Sequence, residues 1–132
     1  MLFRSRRDHH YYVIGEAISP ISKFQQIIDA WDGIATISVD VEDGEFSDAT
    51  LLKVAEVIEE LVSNAIRHGG ATEISVRVAL EDGSNRVNFF DNGKKRVKGK
   101  PGLGSSLLKS LTKNVVIQES DGGTRISFGL IE

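Results

Sequence analysis

The run Glu60-Leu61-Val62-Ser63-Asn64-Ala65 carries a carboxylate and a carboxamide four residues apart on a strongly helical stretch. In an α-helix that spacing puts both groups on one face. Two oxygen donors so placed can hold a hydrated magnesium ion and orient a nucleophile beside a triphosphate. Taken alone the pair is a weak pointer, because a solvated helix face is the commoner origin of such a spacing. Asparagine, however, is a poor helix-interior residue, and a metal ligand is one reason to find it there. Downstream stand Asp91-Asn92-Gly93, Gly102-Leu103-Gly104 and Gly122-Gly123-Thr124. Asp91-Asn92-Gly93 suits a plain turn, but it also sets a carboxylate at a strand end, where it can accept a hydrogen bond from a purine amine. Gly93 would let a ring approach the backbone. Gly102-Leu103-Gly104 opens a helix, whose free amides and positive dipole favour phosphate. The loop before it holds Lys94, Lys95, Arg96, Lys98 and Lys100, and no Walker-type glycine–lysine loop occurs anywhere. Gly122-Gly123-Thr124 joins the last two strands, where the Thr124 hydroxyl could support the purine-binding aspartate.

These groups need a scaffold, and the hydrophobic pattern supplies one. Ser19-Pro20 caps a first helix with Ile21, Phe24, Ile28 and Trp31 at helical spacing, ended by Asp32-Gly33. Ile37, Val39 and Val41 alternate as a half-buried strand, and Glu42-Asp43-Gly44 turns the chain. The longest helix spans about 49–68, capped by Ser47 or Asp48. Its apolar stripe is Leu51, Val54, Ile58, Leu61, Val62 and Ala65, and Gly69-Gly70 stops it. Ile74, Val76, Val78 and Leu80 alternate strictly, and a hairpin at Glu81-Asp82-Gly83-Ser84 returns the chain through Val87 to Asp91. The stretch 92–102 holds three glycines, four lysines, an arginine and a proline, and reads as a mobile loop. A helix from Leu103 to Lys113, with Leu107, Leu108 and Leu111 inward, and strands Val115 to Gln118 and Arg125 to Leu130 complete the chain. Residues 1–18 show no clean period, and His9-His10-Tyr11-Tyr12 are adjacent rather than spaced as ligands on one face. The element order implies an α/β sandwich, one mixed sheet covered on one face by about three helices.

Composition limits the function. A chain of 132 residues fits one domain, and 40% apolar residues suffice for a single core. A net charge of −3 gives no basic field for nucleic acid. The absence of cysteine removes disulfides and thiolate metal sites and fits a reducing compartment. No apolar run approaches the roughly 20 residues of a membrane span. The basic start, Met1-Leu2-Phe3-Arg4-Ser5-Arg6-Arg7, lacks the apolar stretch of a signal peptide.

The residues singled out above, in their order, resemble a known family. Glu60 to Ala65 is similar to the N box of the Bergerat-fold (GHKL) ATP-binding domain shared by gyrase, Hsp90, histidine kinases and MutL. Asp91-Asn92-Gly93 resembles its G1 box, Gly102-Leu103-Gly104 its G2 box and Gly123-Thr124 its late Gly-Thr. The likeness covers roughly residues 33–131, and Asn64 to Thr72 is most similar to sensor histidine kinases with a short lid. The resemblance implies an ATP-binding catalytic domain over 33–132, preceded by an N-terminal segment and linker helix over 1–32. It implies ATP and Mg2+ as ligands, with Glu60 catalytic or water-positioning and at the metal with Asn64, which binds magnesium. Asp91 would hold adenine, Arg67 and His68 would flank the nucleotide, and Gly93, Gly102 and Gly104 would shape the lid and meet phosphate, with Lys100 and Leu103 beside them and Thr124 behind.

The sequence also departs from the family pattern. Lys94-Lys95 stand where a second glycine often follows the G1 box, and about ten residues separate the two boxes. No phosphoacceptor block is present, since Asp8-His9-His10 lacks the amphipathic helical context of that block. The expected activity is therefore a two-component phosphotransfer in which the γ-phosphoryl of ATP passes to a histidine on a separate dimerisation domain, and on to a response regulator. The expected location is cytoplasmic, with any membrane link through segments missing from this chain. Two alternatives stand beside it: an anti-sigma-factor-type serine kinase, suggested by the compact stretch Leu107 to Ile117, and a degenerate nucleotide-binding scaffold.

Overall fold

The structure is a computed structural model that describes residues 2–5, 19–42, 46–94 and 106–131, the backbone alone for 2–5 and 106–108. Two helices start on the caps the sequence provides. In α1 (Pro20–Ala30) the Ser19 hydroxyl accepts from Ser22 N–H at 3.1 Å and Pro20 fills the first helical position. In α2 (Asp48–Gly69) Ser47 Oγ accepts from Thr50 N–H at 3.0 Å. Gly69 closes the last turn of α2, and Gly70 stops it in the left-handed conformation at φ 67°. The expected stripe of α2 faces the core; Leu51 is half-buried, the rest are buried, and Ala55 and Val57 widen it.

Six strands form one sheet: β1 (Leu2–Ser5), β2 (Thr36–Val41), β3 (Glu73–Glu81), β4 (Ser84–Asp91), β5 (Thr112–Ser120) and β6 (Gly123–Leu130), in spatial order β1-β2-β3-β4-β6-β5. β1, β2 and β3 run parallel, and the remaining pairings are antiparallel. Crossovers β1-α1-β2 and β2-α2-β3 step in one direction across the sheet. Crossovers of one hand then put α1 and α2 on the same face. The short helix α3 (Ser106–Leu111) packs against α2 and β5.

Register explains the two faces. The rows Val41–Val78–Val87–Phe128 and Val39–Val76–Phe89–Ile126 are buried beneath the helices. They meet Phe24, Ile28, Val54, Ile58 and Leu61 in a single core. The alternate positions, such as Ser38, Ser75, Arg77 and Asn88, form the other face.

Several sequence expectations are corrected. β1 lies in a stretch read as without a period, because four residues carry too little alternation and the strand exists through its parallel pairing with β2. Leu80 is 42% exposed, since the hairpin runs on past the last buried row, Val78–Val87. The helix expected over 103–113 ends at Leu111. Thr112 already pairs with Leu130, so partnership with β6 overrides local helical preference. β5 is correspondingly longer than Val115 to Gln118, and bends at Asn114 (φ 54°) through a bulge between Lys113 and Val116. Asp43 and Gly44 of the expected turn, the loop over 95–102 and the inward positions of Leu107 and Leu108 lie outside the described residues.

Candidate functional site

Asp91 is the last residue of β4, on the helix-covered face of the sheet. Its row there is Ile37, Ile74, Asp91 and Thr124. A carboxylate in such a row must be hydrogen-bonded to be tolerated. Asp91 is 3% exposed, and its Oδ1 accepts from Gly93 N–H at 2.8 Å. Thr124, also 3% exposed, stands directly opposite on β6.

Glycines let three backbone segments converge on this aspartate. A Cβ on Gly93 would lie 2.9 Å from both Asp91 Oδ1 and the Gly69 carbonyl oxygen. The end of α2 therefore touches the turn after β4, and the contact is sealed by Lys94 N–H donating to Gly69 O at 2.8 Å. Gly123 has φ 140°, and a Cβ there would come within 2.0 Å of the Asp91 carbonyl oxygen. No L side chain is compatible with that approach. On the far side Asn92 ties the turn to the start of β3: its Oδ1 accepts from Thr72 N–H at 2.8 Å and Glu73 N–H at 3.0 Å.

The α2 residues extend away from this junction. Asn64 precedes Gly69 by five residues, about 7.5 Å along the axis, and Glu60 lies about 6 Å further back. Both are half-buried, at the border between the apolar stripe and the surface. Arg67 and His68 are exposed in the last turn, where a cation also suits the helix dipole. The fold thus gathers Gly69, Asp91, Gly93 and Thr124 and sets Asn64 and Glu60 along the helix that ends against them. Lys100, Gly102, Leu103 and Gly104 lie outside the described residues. Sequence reasoning read Gly69 only as a helix stop, Thr72 and Asn92 only as members of motif stretches, and Gly123 as a hairpin residue and half of the late Gly-Thr, without the contacts that bring them to Asp91. Two glycine pairs flanking the aspartate in the chain were the available sign of a crowded backbone junction.

Among the described residues no group of three or more His, Asp or Glu side chains forms a self-contained cation site. The carboxylate and amide oxygens of Glu60 and Asn64 are hard donors that fit magnesium, which keeps several waters and takes other ligands from substrate phosphates. The groove on the opposite sheet face, lined by Arg77, Asn88, Phe90 and Arg125, has a different character. Arg77 pairs there with Asp40 at 3.3 Å and Glu42 at 3.2 Å, and Arg125 lies 4.9 Å over the Phe90 ring. These are satisfied surface contacts.

Comparison with known proteins gives a consistent picture. Residues 49–131 match the family model described as histidine kinase-, DNA gyrase B-, and HSP90-like ATPase. No curated protein matches by sequence. Among solved structures, the chain is similar to a blue-light activated histidine kinase of Erythrobacter litoralis (TM-score 0.62, 16% identity, 81% of this chain). It is similar to the histidine kinase AdeS of Acinetobacter baumannii (TM-score 0.63, 12% identity, 85% of this chain and 64% of that one). It is also similar to the ATP binding domain of PrrB from Mycobacterium tuberculosis (TM-score 0.56, 17% identity, 86% of this chain and 93% of that one). The chain spans 40% of the length of the Erythrobacter kinase. At these identities the likeness shows the fold.

Proposed function

The chain belongs to the histidine kinase-, DNA gyrase B- and HSP90-like ATPase family, and from that we propose that it is the ATP- and magnesium-binding catalytic domain of a two-component sensor histidine kinase. It transfers the γ-phosphoryl of ATP to a histidine on a separate dimerisation domain, from which a response regulator is served. The observation that carries this reading is the buried Asp91, fixed at a strand end and crowded by glycines against the helix that bears Glu60 and Asn64.

The roles follow from position and chemistry. Asp91 accepts a hydrogen bond from the adenine amine, and Gly93 adjoins the nucleotide where its missing side chain lets the turn pack against Gly69 and Asp91. Thr124 supports Asp91 from β6. Asn64, with Glu60, holds magnesium, which supplies charge neutralisation at the phosphate oxygens when bound. Glu60 orients the attacking group. Arg67 and His68 flank the nucleotide. Lys100, Gly102, Leu103 and Gly104 belong to the lid by sequence resemblance. Most of phosphoryl-transfer catalysis is positioning and charge stabilisation, which the end of an interior strand and a long helix can provide. The catalytic domain spans 33–132, with 1–32 as N-terminal segment and linker helix. Partners are proteins rather than nucleic acid, in keeping with the net charge of −3. Among the described residues no helix is long and apolar enough to cross a membrane. The proposed location is the cytoplasm.

The test is incubation of the chain with γ-labelled ATP, magnesium and a histidine-bearing dimerisation domain. Acid-labile label on the dimerisation domain is expected. Acid-stable label on a protein serine would replace this reading with the serine kinase, and ATP binding without transfer to any acceptor would replace it with the scaffold.

A further inference from the structure

We infer that Asn92 sets the adenine selectivity of the proposed nucleotide site by locking the strand end that carries Asp91; the inference rests on the ATP-binding reading above. The last ladder pair between β3 and β4 is Ile74 with Asp91. Beyond it the chain must leave the sheet, because Gly93 and Lys94 pass against Gly69 at the end of α2. Asn92 bridges the two demands. Its backbone N–H donates to Glu73 O at 3.1 Å, its Oδ1 accepts from Thr72 and Glu73 N–H, and its Nδ2 donates to Thr72 Oγ1 at 3.0 Å. One side chain thereby takes the place of the missing next rung of the ladder.

Asn92, Thr72 and Glu73 are all exposed. Water can satisfy every one of these groups if the side chain is removed, so the clamp adds little to global stability. Its effect is local. Without it the turn after β4 keeps only two backbone bonds, Asn92 N–H to Glu73 O at 3.1 Å and Lys94 N–H to Gly69 O at 2.8 Å, and strand ends with few anchors open at small cost. The Asp91 carboxylate, one residue back, loses its fixed direction. A displaced acceptor discriminates poorly between a purine with an amine at its six-position and one with a carbonyl there. Asn92 is a positioning residue, and Thr72 is its partner.

The experiment measures dissociation constants for magnesium-ATP and magnesium-ITP with the full chain and three variants. Asn92→Ala is expected to remain folded and to lose about tenfold of the ITP-to-ATP ratio of constants. Asn92→Asp keeps the oxygen acceptors for Thr72 and Glu73 N–H and is expected to hold the ratio within about threefold. Its added charge weakens both nucleotides alike and cancels in the ratio. Thr72→Val removes only Oγ1 and is expected to lower the ratio by about threefold, so a misfolded Asn92→Ala still leaves a decisive variant. A merely structural role would weaken ATP and ITP equally. An unchanged ratio in Asn92→Ala, or in Thr72→Val if the former does not fold, overturns the inference. Wild type that prefers ATP while Asn92→Ala keeps the same ITP-to-ATP ratio refutes Asn92 alone and leaves the ATP-binding reading standing. Wild type that binds neither nucleotide refutes the ATP-binding reading and this inference with it.

Discussion

Replacing Asp91 by asparagine separates the carboxylate's structural duty from its proposed chemical one. In the fold, Asp91 Oδ1 accepts the Gly93 N–H at 2.8 Å, in a position 3% exposed. Asparagine retains an oxygen for that bond, so Asp91→Asn is expected to cost less than about 1 kcal/mol of stability. Asp91→Ala leaves the buried Gly93 N–H without its acceptor, which costs about 1–3 kcal/mol. For the nucleotide the two variants converge. A hydrogen bond to a charged group contributes about 1.5–3 kcal/mol. Its loss raises the dissociation constant about 10- to 150-fold. In the asparagine variant an amide N–H would also confront the adenine amine, donor against donor. Chemical denaturation gives the stabilities, and calorimetric titration with ATP and ITP gives the affinities. The expected result is two variants unequal in stability and equally poor for ATP, both having lost the preference for ATP over ITP. Asp91→Asn with wild-type ATP affinity and preference would refute the assignment of adenine to this residue.

Other substitutions probe the remaining parts. Asn64→Ala is expected to abolish the magnesium-dependent part of ATP affinity while moving stability by less than about 1 kcal/mol, read by titration with and without magnesium and by thermal melting. Gly123→Ala is expected to cost about 3 kcal/mol or more and to abolish nucleotide binding, because the new Cβ meets the Asp91 carbonyl at 2.0 Å at φ 140°. Gly122→Ala is its control: the nearest atom to its Cβ is Ser120 Oγ at 3.9 Å, and near-wild-type melting and binding are expected. Ser47→Ala removes the acceptor for Thr50 N–H and is expected to lower stability by about 1 kcal/mol without altering ATP affinity, since the cap lies at the opposite end of α2 from Gly69.

Elements with strong periodicity and explicit caps are legible in the amino-acid sequence. Ser19-Pro20 and Ser47 start their helices as their chemistry dictates, and Asp82-Gly83 forms the two-residue hairpin turn, both at positive φ. Weak local patterns fail where long-range pairing decides. Leu2–Ser5 becomes a strand only because β2 lies beside it, and Thr112 leaves the helical run because Leu130 offers a partner. Leu80 alternates correctly yet faces solvent, because alternation gives the face of a strand and not how far the helix layer extends. Around the candidate site, residue types single out Asp91, Gly93, Asn64 and Thr124 as candidates. They do not reveal that Gly123 lies against the Asp91 carbonyl, or that Asn92 reaches back some twenty residues to Thr72. Those are contacts between segments distant in sequence, and they arise from sheet register.

The measurement that decides most is a titration of the whole chain with ATP, with magnesium and with a chelator in its place, followed by calorimetry and checked by equilibrium dialysis. The expected result is saturable binding of one ATP per chain that tightens when magnesium is present. Absence of saturable ATP binding under both conditions, in a chain shown to be folded, would contradict the assignment of Asp91, Glu60 and Asn64 to a nucleotide site.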